Sequence, residues 1–291
     1  MNEPSVAIVL VNYNGYEYTK NCIDSLNQID YSNFGIIIVD NDSPDGSVKQ
    51  LYEFESPRIH VIETHKNGGF AYGNNVGISY ARSLGYSFVL LLNNDTIVTK
   101  RFLTRIVSSA IRYGGDITSG RIMYNGKKDT IWYAGGKIDW FNQRAIHVGI
   151  NKKNPMHKNT CRVSFVSGCC MLLSMKCIDT IGGLPEDYFM YYEDLDYCQN
   201  ALNHGLNLLY SPKSVIYHCI SASGGGDGSP FVVEWSNRSR RKFYKKYSSN
   251  LAWYIRWTSS FWCEMKEIYR IIRRGNKIAS LKAYIRSFNE S

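Results

Sequence analysis

Three groups of carboxylates stand where apolar runs stop or helical periodicity begins: Asp40 and Asp42 after residues 34–39, Asp95 after 88–92, and Glu193, Asp194 and Asp196. One histidine, His218, follows a further apolar run far downstream. Carboxylate oxygens and a neutral imidazole suit a hard divalent cation, Mg2+ or Mn2+, shared with the oxygens of a diphosphate. A carboxylate in the first turn of a helix lies at the positive end of the macrodipole, which keeps it ionised and able to take a proton from a hydroxyl. The set points to chemistry on a charged phosphate ester, with Asp194 placed as a base. Each piece also has a plainer use. Asn94-Asp95-Thr96 suits a turn with a helix cap, Asp194 suits an N-cap, and a lone histidine is more often structural. His60, His65, His147, His157 and His204 are read as structural, and His218 differs by the company it keeps.

The three neighbouring carboxylates compete for one role. On a helix Asp194 and Asp196 differ by about 200°, so they cannot both face one substrate. Leu195, Cys198 and Leu202 mark the buried stripe of a helix that begins near residue 194 and ends before Gly205. Asp194 is therefore expected to project towards the sheet edge, Asp196 to pair with a cation or water, and Glu193 to hold the acceptor or steady a loop.

The elements that must carry these residues alternate. Strand-like runs at 6–11, 34–39, 59–63, 88–92 and 117–123 are separated by helical patterns at 16–28, 47–54, the glycine-rich entry 67–77 running on to 84, and 100–113. Strands and helices at this spacing predict an α/β fold with a parallel sheet wound by helices, whose ligands bind at the carboxyl edge. From 125 to 162 the order weakens, and 131–134 and 145–148 read as hairpin strands. An apolar strand pattern returns at 163–173, strands are expected at 206–210 and 214–217, and 221–228 reads as a mobile glycine-rich loop. The end of the chain is helical by pattern, with apolar stripes Phe261, Met265, Ile268, Ile272 and Leu281, Ile285, Phe288.

At 291 residues, 44% hydrophobic and 20% charged, the chain has the composition of a folded globular protein, and disordered and collagen-like classes are excluded. No apolar run approaches the ~18 residues of a membrane-spanning helix, and 6–11 is too short for a signal-peptide core, so a cytoplasmic location is expected. Eight scattered cysteines without a C-x-x-C pair read as buried thiols. The net charge of +9 is local: residues 238–286 hold 14 Lys and Arg against Glu264 and Glu267, a charge of +12 that leaves −3 for the remainder. A mildly acidic body with a basic, aromatic-rich end suits an anionic membrane surface better than nucleic acid. Helices packed on the body with solvated basic faces are the other reading of that segment. We divide the chain into a folded domain over 1–230, with halves 1–124 and 125–230, and a basic amphipathic helical tail over 231–291.

Two nucleotide-binding classes fail on the residues present. The turn after the first strand reads Asn12-Tyr13-Asn14-Gly15-Tyr16, with no G-x-G-x-x-G, and a P-loop is absent. Sugar-phosphate nucleotidyltransferases carry there a Gly-rich loop with Arg and Lys, which this chain lacks.

Taken in order, Val11-Asn12-Tyr13-Asn14, Val39-Asp40-Asn41-Asp42-Ser43, Asn67-Gly68-Gly69-Phe70-Ala71 with Asn74-Asn75, Leu92-Asn93-Asn94-Asp95, Gly168 with its apolar strand, Gly182-Gly183-Leu184-Pro185-Glu186, Tyr192-Glu193-Asp194-Leu195-Asp196 and His218 resemble the family-2 inverting glycosyltransferases of the GT-A fold. The Asn-Gly-Gly-Phe and Tyr-Glu-Asp-x-Asp versions resemble the rhamnosyltransferase-type branch that builds bacterial surface polysaccharides. The resemblance implies a Rossmann-like, mostly parallel central sheet flanked by helices. It implies that Asp40 meets the nucleotide base, that Asp95 and His218 hold Mg2+ or Mn2+, and that Asp194 takes the acceptor proton. Asn12, Asn14, Asp42, Asn67, Gly69, Asn75 and Asn94 would join Asp40 and Asp95 around the nucleotide sugar, and Glu193, Trp132 and Gly168 would line the acceptor. One place departs: the family's metal motif is often Asp-x-Asp, and its first position here is Asn93. The implied activity is inverting transfer of a sugar, L-rhamnose from dTDP-rhamnose, to a glycan or lipid-linked acceptor in O-antigen or capsule synthesis, at the inner face of a bacterial membrane. A UDP-sugar hexosyl- or galactofuranosyltransferase is the nearest alternative, and a silent scaffold subunit of a polysaccharide assembly complex is the alternative of another class.

Overall fold

The computed structural model describes residues 3–127, 129–153, 157–219, 228–273 and 277–289. The expected mobile loop 221–228 lies, but for Gly228, outside the described residues.

β1 (Val6–Asn12), α1 (Tyr16–Leu26), β2 (Phe34–Asp40), the short α2 (Ser47–Leu51), β3 (Ile59–Glu63), α3 (Gly69–Ser83) and β4 (Phe88–Leu92) follow the alternation read from the sequence. Their strands are parallel, in the order β4-β1-β2-β3. Continuous apolar runs need burial on both faces, and β1, β2 and β4 obtain it at the centre of the sheet. α3 lies almost on the β1 backbone. A Cβ at Gly77 would stand 2.4 Å from Val9 Cγ1, so that close approach depends on glycine.

Next come β5 (Thr96–Val98), α4 (Phe102–Tyr113), β6 (Ile117–Tyr124), β7 (Ile131–Tyr133), β8 (Gly136–Asp139), β9 (Arg144–His147), β10 (Cys161–Arg162), β11 (Cys170–Ser174), α5 (Met175–Ile181), α6 (Glu193–Asn203) and β12 (Leu208–His218). The main sheet runs β10-β12-β6-β11-β4-β1-β2-β3. Only β11 reverses within the central block, antiparallel to both β4 and β6, while β12 is parallel to β6. The carboxyl ends of β1, β2, β4, β6 and β12 therefore share one edge.

Four local readings are corrected. Residues 131–133 pair with β6, and the hairpin partner of 144–147 is 136–139, because Gly135 at φ 96° turns the chain off the main sheet. Within 163–173 the ladder begins only at Cys170. Residues 208–218 form one strand with a register shift between Ser211 and Val215, where Pro212 has no N–H to give the ladder. α5, capped by the Ser174 hydroxyl, is too short for its periodicity to show. Among the cysteines, all free, Cys161 and Cys219 are only half buried.

α7 (Pro230–Tyr247), α8 (Trp253–Arg273) and α9 (Lys277–Arg286) complete the structure. Much of the basic charge of this segment is committed internally. Lys246 pairs with Asp196 at 2.9 Å, Lys242 with Asp187 at 2.8 Å, and Arg286 with Glu234 at 2.7 Å. Arg240 and Arg241 both pair with Glu264; burial alone would raise its carboxyl, but the two guanidiniums hold it down to about 2.

Candidate active site

Where β1, β2 and β4 end, their polar residues form a closed mesh. Asn12 is fully buried and donates from Nδ2 to Asp40 Oδ1 at 2.8 Å; its Oδ1 accepts from Thr19 Oγ1 at 2.9 Å. Asp40 also accepts from the Ser43 hydroxyl at 2.7 Å and the Ser43 N–H at 3.0 Å, which closes the 40–43 turn. Asn14, at φ 52°, donates its N–H to Ser43 Oγ, and Asp42, at φ 64°, stands exposed on the same turn. Asn94 joins through Thr19 at 2.9 Å. Next to it, Asn41 Nδ2 donates to Asn67 Oδ1 and to the Gly69 carbonyl. Gly69 has φ 86°, and a Cβ there would stand 2.1 Å from the Phe189 carbonyl oxygen, so no other residue fits. Asn75 lies apart from this mesh: its amide donates to the Leu184 carbonyl and Glu186 Oε1 and accepts from the Leu184 N–H, clipping the 184–186 turn.

Asp95 and His218 meet one step further along the edge. β5 follows Asp95 and pairs antiparallel with β12, His218 opposite Thr96, and the Cys219 N–H donates to the Asp95 carbonyl. His218 Nε2 stands 3.1 Å from Asp95 Oδ1, yet Oδ1 has no hydrogen-bond partner of good geometry, nor has His218 Nδ1, although both atoms are buried. Trp132 lies edge-on to the His218 ring at 4.9 Å and to His147 at 4.4 Å. Burial lowers His147 to about 4, so it is a neutral, packed imidazole, as its reading from the sequence required. Two buried, unpartnered ligand atoms, one in the turn before β5 and one at the end of β12, fit a hard cation that would take its other ligands from diphosphate and water. Among the described residues no group of three or more His, Cys, Asp or Glu converges.

The acidic helix start faces the same place. The Gly168 N–H donates to Asp194 Oδ2 at 3.0 Å, and the carbonyl of the next residue, Cys169, accepts from the Asn93 N–H at 3.0 Å. The two-residue span 168–169 thus holds Asp194 on one side and the turn of Asp95 on the other. Both carboxylates help burial push the Cys169 thiol far up. Asp194 does not have the low carboxyl that its place at a helix start implied: burial raises it more than the N–H groups of Gly168, Leu195 and Asp194 lower it. Glu193 is raised further, by burial and then by the Asp194 charge, and its Oε2 is buried without a partner. Asp196 points elsewhere, taking Lys246, the Tyr188 hydroxyl at 2.8 Å and the Tyr247 hydroxyl at 2.8 Å. The 200° separation was sufficient to predict that division.

Residues that sequence reasoning missed set this helix start. Tyr191 and Tyr192 take left-handed φ values of 68° and 71°, strain that a bulky side chain adopts only when its surroundings enforce it. The Tyr192 hydroxyl donates to the Gln143 carbonyl at 2.7 Å; Gln143 is buried and receives Arg240 Nη1 at 2.6 Å on its side chain. The two adjacent tyrosines before Glu193 were the one visible sign, and nothing local marked Gln143 or Arg240.

Comparison with known proteins agrees with the motif order. The family model described as "Glycosyl transferase family 2" matches residues 7–182. The low-salt glycan biosynthesis hexosyltransferase Agl10 of Haloferax volcanii is 27% identical over 204 residues, 70% of this chain and 63% of that protein. The dTDP-rhamnosyl transferase RfbF of Shigella flexneri is 22% identical over 216 residues, 74% of this chain and 69% of that one. Among solved structures, GalNAc-T7 with UDP, GalNAc and Mn2+ superposes with a TM-score of 0.68 at 12% identity, over 99% of this chain and 56% of that one.

Proposed function

The chain belongs to glycosyl transferase family 2 and has the GT-A fold, and from that premise we propose that it transfers L-rhamnose from dTDP-rhamnose, with inversion, to a glycan or lipid-linked acceptor in O-antigen or capsule synthesis. The carrying observation is the 168–169 span, which sets a base candidate against the Asp95–His218 pair. The dTDP-rhamnosyl transferase from Shigella supports the donor, and the Haloferax hexosyltransferase, with the UDP held by GalNAc-T7, keeps a UDP-hexose in view as the second reading. In this reading the mesh around Asn12, Asp40, Asn67, Gly69 and Asn94 receives the nucleotide, residues 1–124 form the nucleotide half and 125–230 the acceptor half. Asp194 takes the proton as the acceptor hydroxyl attacks the anomeric carbon opposite the leaving diphosphate. Its raised carboxyl makes it the stronger base once ionised. Glu193 is raised as well, by burial and then by the Asp194 charge, so burial favours a single charge on the pair, and Glu193 holds the acceptor beside the base. Asp95 and His218 would hold Mg2+ or Mn2+, which supplies charge stabilisation to the leaving diphosphate.

The tail supports a peripheral membrane location. No described helix is long and apolar enough to cross a membrane. α8 buries Ser259, Cys263, Glu267 and Ile271 and turns out Trp253 at 78% exposure, Trp257 at 66%, Phe261, Met265 and Ile272, with Ile278, Leu281 and Ile285 exposed on α9. Such a ridge suits the bilayer interface, and fewer cations remain free to aid it than the local charge of +12 suggests. Flotation with anionic vesicles is expected, weakened by salt; equal flotation with neutral lipid and in high salt would leave the apolar ridge as the sole anchor, and none at all would make the tail structural. The reaction itself is tested by a donor screen read as nucleotide release: dTDP-rhamnose should be consumed in the presence of acceptor glycan, and turnover of UDP-hexoses alone would select the second reading.

A further inference from the structure

Beside the Asp95–His218 pair, at the carboxyl ends of β6 and β12, opens a cavity of about 900 Å3 that the nucleotide mesh does not touch. Trp132 and Cys219 form the wall it shares with the pair, and Ile146 and Ile150 give it an apolar flank. Among the described residues the charged side chains in its lining are Lys127 and Arg144, with no carboxylate. Neither cation is held in a close ion pair among the described residues. Lys127 is exposed and leans over the Tyr124 ring at 4.6 Å. Arg144 has only a long approach of 3.8 Å to Asp139, whose carboxylate already holds the Asn142 N–H at 3.0 Å and the Asn142 amide at 2.9 Å.

An indole beside an exposed lysine and an exposed arginine whose ion pair is long suits a sugar ring that carries negative charge: an aromatic wall packs against the apolar side of the ring, and the guanidinium binds an oxyanion through two N–H groups. Position assigns the occupant. On the reading above, the donor's base and ribose lie at the ends of β1 and β2, four and five strands away from β12 in the sheet order, whereas this cavity lies at the ends of β6 and β12, beyond the turn of Asp95. We propose that the cavity is the acceptor site and that it selects an acidic acceptor, a sugar bearing an oxyanion held by Arg144 and Lys127. The proposal rests on the glycosyltransferase reading above and adds the class of acceptor. The oxyanion can come from a uronic carboxylate or from a sugar phosphate.

Titration calorimetry on the whole protein separates these cases, with methyl β-glucuronide, glucose 1-phosphate and neutral methyl β-glucoside as probes. At least one acidic probe should bind about tenfold more tightly than the glucoside; the glucuronide leading would identify a carboxylate, and the phosphate leading would identify a phosphate. Arg144→Gln and Lys127→Gln should each reduce that preference, and Arg144→Lys should retain part of it, while nucleotide affinity stays unchanged. Equal binding of the three probes, or a preference that survives both glutamine variants, overturns the proposal. So does loss of the acidic preference when a nucleoside diphosphate saturates the protein, since the cations would then serve the donor. None of these outcomes touches the glycosyltransferase reading, which fails only if no nucleotide sugar is turned over.

Discussion

The two ends of the site are built on opposite terms. At the ends of β1 and β2 every buried side-chain polar atom has a partner: Asn12, Asp40 and Ser43 bind one another, and Asn41, Asn67 and Gly69 form a second closed set. Around β12 and α6 the reverse holds. Of the seven buried side-chain polar atoms that lack a partner among the described residues, three belong to Asp95, Glu193 and His218. A buried donor or acceptor without a partner costs about 1–3 kcal/mol. On the proposed function, the satisfied frame holds shape for a donor that is bound and released many times, while the unsatisfied cluster concentrates unmet electrostatic demand where bonds change.

The largest expected effect breaks the unsatisfied side. Asp194→Asn keeps shape and removes the proton-accepting charge, so turnover should fall about 100- to 10,000-fold with nucleotide affinity near wild type. Asp196→Asn should do less, because Asp196 is engaged by Lys246 and two tyrosines. Near-normal kcat in Asp194→Asn beside a dead Glu193→Gln would move the base to Glu193. Second in size is removal of the cation: excess chelator should slow turnover about 100-fold if Asp95 and His218 hold an ion on the diphosphate, and an unaffected rate would mean that Asn93 in place of the usual Asp has freed the enzyme from metal.

The satisfied side should break differently. Asp40→Ala opens the 40–43 turn and removes the shortest of the Asn12 amide's three hydrogen bonds, so nucleotide affinity should fall about tenfold and stability by about 1–3 kcal/mol, with Asp194→Ala changing neither by as much. Equal nucleotide affinity in wild type and Asp40→Ala would remove Asp40 from the donor site.

The smallest effect sharpens the contrast through pH. Asp194 must be ionised to act, and burial raises its carboxyl, so the acid limb of kcat should lie above the ordinary carboxylate range. Glu193 is raised too. The unfolded chain therefore releases that proton first, and the stability Glu193 contributes is present below the ordinary Glu value and lost as pH climbs towards its raised value. Thermal denaturation of Glu193→Gln should show a flatter pH dependence over that window, and a kcat limb that stays in place would assign the shared proton to Glu193. A limb that follows the substitution would mean that the two carboxyls share the proton evenly.

By itself the sequence determined the alternating elements, the burial of β1, β2 and β4, the edge at which polar residues gather, and the division between Asp194 and Asp196. All of these follow from period and adjacency: an uninterrupted apolar run must be covered on both faces, and residues two apart on a helix diverge. Tertiary structure alone decided the rest. β11 enters antiparallel between β4 and β6, so Gly168 and Cys169 can bridge Asp194 to the turn of Asp95. The raised carboxyl of Asp194 reverses what its helix position implied, because desolvation depends on everything packed around a group and the dipole only on its own helix. The tail's cations pair with Glu234, Glu264, Asp187 and Asp196, and one of them, Arg240, also reaches Gln143. Gln143 and Tyr192 lie 49 residues apart, and Arg240 lies 97 from Gln143. Contacts at such separation leave no periodic or local trace, and only the folded chain brings them together.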